Sequence, residues 1–183
     1  MNDALEELRQ VLADFAEAGE CVEKVGQDLI AALKAGNKVL TCGNGGSAAD
    51  ALHFAEELTG RYRGERRALP AICLSADGTA LTCIANDYGF EQVFARQVQA
   101  FGMQGDFLVG FSTSGNSPNI LAAFKTARER GLRTVLLTGR DGGHAAALAS
   151  DPLRVPSTTT ARIQEVHTLI FHQWLEQIEA VPW

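Results

Sequence analysis

The chain has 183 residues, enough for one α/β domain with a helical extension and a sizeable core. Its 22 acidic and 16 basic residues leave a net charge of −6, which argues against a nucleic-acid partner, because polyanion binding calls for a basic face. No apolar run approaches a membrane span and no apolar leader opens the chain, so a cytoplasmic protein without a membrane partner is expected. The four cysteines (Cys21, Cys42, Cys73, Cys83) lack zinc-ligand spacing and read as buried free thiols rather than disulfides.

Residues 2 to about 35 carry apolar side chains at helical spacing, Leu5, Leu8, Val11, Leu12 and Phe15, then Val22, Val25, Leu29, Ile30 and Leu33. Gly19 marks a break, and Gly36-Asn37 ends the second piece. Two helices cannot bury their own apolar faces, so residues 1–36 are expected to form an arm that packs on the body or on another subunit. Residues 37–183 then alternate strands and helices. The expected strands are Lys38–Cys42, Ala71–Leu74, Phe107–Ser112, Thr134–Thr138 and Leu153–Val155. The expected helices are Ser47–Tyr62, Gly89–Ala100, Asn119–Arg130, Ala145–Ala149 and Thr160–Ala180. This rhythm predicts an α/β three-layer sandwich around a five-stranded, mainly parallel sheet.

Ligands of open α/β sheets gather at the carboxyl ends of the strands, and two strands here end in turns of small polar residues. One is Cys42-Gly43-Asn44-Gly45-Gly46-Ser47, a glycine-rich turn entering a helix. The other is Ser112-Thr113-Ser114-Gly115-Asn116-Ser117, ahead of Pro118. Hydroxyls and backbone N–H groups at a helix start suit a phosphate. Capping by Ser117 or Asn116 explains one residue of the second run but not its four hydroxyls. A dinucleotide site is a poorer match: the third glycine of G-x-G-x-x-G is missing, and the second strand ends at Leu74-Ser75 with only Asp77 nearby. No P-loop pattern is present. The helix after the first turn carries His53 and Glu57 four residues apart, on one face.

These segments, with His53–Tyr62, Asn86-Asp87-Tyr88-Gly89-Phe90, Leu137-Thr138-Gly139 and Arg162-Ile163-Gln164-Glu165-Val166-His167, resemble the sugar isomerase (SIS) domain family and, within it, the phosphoheptose isomerases. The resemblance runs from about residue 38 to residue 178. It implies a flavodoxin-like sheet and a homotetramer with active sites at subunit interfaces. It also implies conversion of D-sedoheptulose 7-phosphate to D-glycero-D-manno-heptose 7-phosphate, the opening step of ADP-heptose and lipopolysaccharide core synthesis. Carried onto this chain, it places Asn44, Gly45 and Gly46 along the substrate and Ser47, Ser112, Thr113, Ser114 and Ser117 on its phosphate. Asn86 and Asp87 lie near the sugar hydroxyls, Gln164 contacts the substrate, and Asp50 and Arg61 support the site. The resemblance further implies a zinc ion held by His53, Glu57, Gln164 and His172. Gln164 and His172 are eight residues apart, about 12 Å along a helix, so either both stretch or a second subunit supplies one of them. Where several such isomerases have an aspartate before Arg-Ile-Gln, this chain has Ala161. No role for His144 or His167 follows from the pattern.

An aldose–ketose isomerase needs a base for a weak carbon acid and a group that moves protons between neighbouring oxygens. Glu57 is the expected base and His172 the expected proton carrier. The ordinary alternatives are a solvated Glu56-Glu57 face, a core histidine at 172 and a simple turn at Asn86-Asp87. A non-catalytic sugar-phosphate sensor or replication-initiation adaptor on the same fold is the rival function. A replication regulator that resembles these isomerases lacks the counterparts of Glu57 and His172, whereas this chain keeps both.

Overall fold

The computed structural model describes residues 2–183. Helices α1 (Asn2–Phe15) and α2 (Gly19–Lys34) precede β1 (Val39–Gly43), α3 (Gly46–Thr59), β2 (Ala71–Cys73) and α4 (Gly78–Tyr88). Then follow α5 (Ala95–Phe101), β3 (Phe107–Ser112), α6 (Pro118–Glu129), β4 (Arg133–Gly139), α7 (Gly143–Ala146), β5 (Asp151–Val155) and α8 (Thr160–Glu179). The strands form one sheet in the order β2-β1-β3-β4-β5, with every pairing parallel. The expected five-stranded flavodoxin-like architecture is therefore present, and the sheet is wholly rather than mainly parallel.

Central strands covered on both faces are mostly apolar, and β1 and β3 are buried at every position. Side-chain alternation splits the core in two. Val39, Phe107, Val109, Phe111, Val135 and Leu137 face the layer that holds α1, α2, α3 and α8. Leu40, Cys42, Leu108 and Leu136 face the layer built from α5, α6 and α7. Gly110 lets α6 approach the sheet: a Cβ there would stand 2.4 Å from the Phe124 ring.

The arm is part of the first layer. Val22, Val25, Leu29 and Leu33 of α2 are buried against α8, where the Trp174 indole N–H donates to the carbonyl of Val22 at 2.9 Å. α1 buries Val11 and Phe15 and leaves Leu5 exposed. The break expected at Gly19 is a single 3-10 turn, Ala16–Ala18.

The sequence reading missed α4 and placed one helix over Gly89–Ala100. Instead Gly89, with φ +87°, ends α4, a 3-10 turn follows at Phe90–Gln92, and α5 starts only at Ala95. The Asp77 carboxylate caps α4, accepting from the N–H groups of Thr79 (2.9 Å) and Ala80 (3.1 Å). Asp77→Ala is expected to lower stability by about 1 kcal/mol, read as a reduced urea midpoint. No residue of α4 is buried, despite Leu81 and Ile84. The thiols also differ from expectation: all four are free, but Cys21 and Cys83 are exposed, because they sit on the outward faces of α2 and α4. Among the described residues, no helix is long and apolar enough to cross a membrane.

Candidate active site

The strand order reverses between β1 and β3, and the two small-residue turns leave the sheet side by side at that point. Gly45, with φ +57°, turns the chain so that the N–H groups of Ser47 and Ala48 point back to the carbonyls of Asn44 and Gly45. Ser75 bridges the turn's base, donating to the Gly43 carbonyl at 2.8 Å. Asn44 and Asn119 exchange amide hydrogen bonds, each 2.9 Å, and join the glycine turn to the start of α6.

Asn44, Ser47, Phe111, Ser112, Thr113, Ser114 and Ser117 line a concavity of about 150 Å³. A second hollow of about 250 Å³ adjoins it through Asn44 and Ser117 and adds Phe90, Glu91, Pro118 and Asn119. Five of the residues expected on the phosphate thus share one small polar cup, at the starts of α3 and α6. Gln164 leans over the glycine turn, where a Cβ on Gly46 would lie 2.5 Å from its amide nitrogen.

A polar stripe runs from there between α3 and α8, which lie side by side in parallel. Asp50 and Thr168 form its middle, and Asp50 Oδ2 is buried without a partner. Burial raises the Asp50 carboxyl to about 6, against the pull of His53 and the Thr168 hydroxyl. At the far end His53 Nε2 stands 3.3 Å from Glu57 Oε1, and the His53 and His172 rings are 5.2 Å apart. Tyr62 stacks on His172 at 5.5 Å and Phe171 packs edge-on against both imidazoles. The Glu57 side chain is only 16% exposed, whereas Glu56 is exposed. Burial, and next the His53 imidazole, hold His172 below the usual histidine range, with Glu57 and Glu176 as a partial offset. At neutral pH His172 is therefore uncharged and able to accept a proton.

One atom each of His53, Glu56 and Glu57 lie within 4.8 Å of one another, a nitrogen-and-carboxylate set able to hold a metal ion. Of the four expected ligands only His53 and Glu57 belong to this group: His172 is not part of it, and Gln164 sits at the other end of the stripe. Asn86 and Asp87, bonded to each other at 2.8 Å, are exposed on the last turn of α4 and line neither hollow. They are helical, not the turn considered as their ordinary alternative. Arg61 is exposed just beyond α3.

Residues 5–139 match the SIS domain family. A phosphoheptose isomerase of Aliarcobacter butzleri is 57% identical over 153 residues, 84% of this chain and 81% of that one. Another, from Fusobacterium nucleatum, is 48% identical and covers 95% of this chain and 89% of its own length. The chain belongs to the phosphoheptose isomerases of the SIS domain family. The solved phosphoheptose isomerase GmhA from Neisseria gonorrhoeae superposes with a TM-score of 0.92 at 44% identity, covering 98% of this chain and 97% of that one. The counterpart from Francisella tularensis gives 0.94 at 38% identity, covering 98% and 96%.

Several residues at the site were not singled out from the sequence. Asn119 follows Pro118 and reads as an ordinary first-turn residue, yet it is buried and holds Asn44. His144, given no role above, fastens the second turn: its backbone N–H (3.0 Å) and ring Nδ1 (2.7 Å) both meet Asn116 Oδ1. Asn116 in turn donates to the Ser114 carbonyl at 3.0 Å. His167 is wholly buried beside Phe111, and burial lowers it to about 4 against a weaker raising effect of the Thr138 main chain.

His167 and Asp50 have opposite effects on stability. The unfolded chain protonates its histidine near 6.5, above the folded His167, so that contribution is full above pH 6.5 and is lost as pH falls toward 4. Asp50 is raised, so its contribution is full below about pH 4 and is lost as pH rises through 6. Asp50→Asn is expected to leave the His167 term alone and give a steeper fall in urea stability between pH 6.5 and 4 than the parent shows.

Proposed function

We propose that this protein isomerises D-sedoheptulose 7-phosphate to D-glycero-D-manno-heptose 7-phosphate, and so feeds ADP-heptose and lipopolysaccharide core synthesis in the cytoplasm. One observation carries the reading: a carboxylate and a neutral imidazole stand together on α3 and α8, and the start of the same α3, with the start of α6, frames a phosphate-sized polar cup. The cup binds the phosphate through hydroxyls and helix-start N–H groups. Glu57 takes a proton from C1 of the open-chain ketose and returns it to C2. His172 opens the sugar ring and carries protons between the two oxygens while the enediol exists. Asn86 and Asp87 meet the sugar hydroxyls, and Gln164 holds the substrate beside Gly46. Asp50 and Arg61 support the site. An adaptor without catalysis would have no use for the Glu57–His172 pair.

A zinc ion would be held by His53, Glu57 and His172, with Gln164 as the fourth ligand. When bound, it would polarise the substrate oxygens and ease enediol formation.

Gly46 and Glu57 are eleven residues apart on α3, about 16 Å of rise, and within one chain Gln164 and His172 are separated by about 12 Å along α8. Two chains are the economical answer: the cup of one protomer faces the His53–Glu57–His172 end of another, in a homotetramer. The half-exposed Leu52 (47%) and Leu169 (50%), next to the polar stripe, support a subunit contact there. Residues 1–36 extend that contact as an oligomerisation arm on the SIS domain of residues 37–183.

The test is incubation of the purified protein with sedoheptulose 7-phosphate and identification of the product by NMR. His172→Gln is expected to lower kcat by about 10²-fold or more. Substrate bound without turnover by the parent protein would support the sensor instead. An active monomer in sedimentation would remove the shared site.

A further inference from the structure

We propose that Arg66 is a positioning residue for Glu57: its guanidinium grips the main chain of the last turn of α3 and sets the angle at which the Glu57 carboxylate meets the substrate. The inference rests on Glu57 being the base.

The last four carbonyls of a helix have no partner inside it. On α3 these include the carbonyls of Glu57 and Leu58. Arg66 reaches back from the α3–β2 loop and donates from Nη2 to the Glu57 carbonyl at 2.5 Å and from Nη1 to the Leu58 carbonyl at 3.0 Å. A third bond, from Nη1 to the carbonyl of Arg67 at 3.0 Å, fastens the guanidinium to its own loop. A planar cation at this place also complements the negative end of the helix. Lysine, a single point donor, cannot bridge both carbonyls in one plane.

The loop is in turn held by α8, the helix that carries His172. The Glu179 carboxylate accepts the N–H groups of Tyr62 (3.1 Å), Arg63 (2.9 Å) and Gly64 (3.0 Å). These bonds keep its carboxyl below the ordinary range against the effect of burial. Burial lowers Arg66 from its ordinary range, and the Glu179 and Glu57 carboxylates partly offset it. A continuous chain of bonds therefore runs from the end of α8 through the loop to the main chain of Glu57. Its effect is to fix the ends of α3 and α8, and with them Glu57 and His172, relative to each other.

The test compares full-length Arg66→Ala, Arg66→Lys and Glu57→Gln, each assayed as the assembled fraction from gel filtration and well below its own unfolding midpoint. A misplacement of about 1 Å costs on the order of 10²-fold, so Arg66→Ala is expected to lower kcat by about 10- to 100-fold with KM within about threefold. Ethylguanidinium, but not ethylammonium, is expected to restore part of that kcat. Arg66→Lys, which keeps the charge and most of the volume, is expected to lose at least about fivefold, and it decides the matter should the alanine variant not fold. An unchanged kcat with only a lower melting temperature, or equal rescue by the ammonium, overturns the inference. Turnover surviving in Glu57→Gln would overturn the base assignment itself. An inactive Glu57→Gln beside fully active Arg66 variants would remove only the clamp.

Discussion

Glu57→Gln is expected to reduce kcat for sedoheptulose 7-phosphate by about 10²–10⁴-fold while substrate still binds, because the amide keeps the shape and loses the basicity. The carboxylate is well placed for such a task. It is 16% exposed, touches His53 at 3.3 Å, and lies on a helix whose end is fixed by Arg66. In deuterium oxide the parent enzyme should introduce solvent deuterium at the carbon beside the carbonyl, and Glu57→Gln should not. Continued exchange in the variant would mean that another group moves the carbon-bound proton, with exposed Glu56 the nearest carboxylate to test. A full loss of binding would instead make Glu57 chiefly a ligand for substrate or metal.

Gly115→Ala is expected to lower stability by about 2–5 kcal/mol and to raise KM sharply. Gly115 has φ +63°, which an L side chain resists, and a Cβ there would stand 1.9 Å from the carbonyl oxygen of Gly142. That oxygen belongs to main chain, so it cannot swing aside as a flexible side chain could. The second small-residue turn leans on α7 at this point: the Gly115 carbonyl accepts from the N–H of Ala145 at 2.9 Å. Separating the two would release Asn116 from His144 and spread the hydroxyls of Ser112, Ser114 and Ser117. Urea unfolding measures the first effect, and the inhibition constant of inorganic phosphate measures the second. Unaltered phosphate inhibition would show that the cup does not hold the phosphate.

The sheet was legible because buried parallel strands are short, mostly apolar runs and the turns after β1 and β3 are rich in glycine and hydroxyls. Those two signals located the switch point and the cup. α4 was not legible for a physical reason: Leu81 and Ile84 are only partly buried against the core, so the segment shows a weak form of the one-sided burial that a periodic pattern reports. The Asp77 cap was the overlooked clue. Arg66, Asn119 and His144 were invisible because each acts on main chain or on an amide far from it in sequence, and such pairings leave no spacing rule. The four-residue interval of His53 and Glu57 placed both on one face correctly, but only the packing of α8 against α3 brought His172 to them.

The mutual clasp of Asn44 and Asn119 gives the cup a fixed width before any guest arrives. Each amide uses one donor and one acceptor on the other, across the place where the strand order reverses. The walls therefore behave as a caliper rather than as jaws. A guest gains little by drawing them together and loses much by prising them apart, so discrimination among phosphate esters falls to whatever closes over the open side.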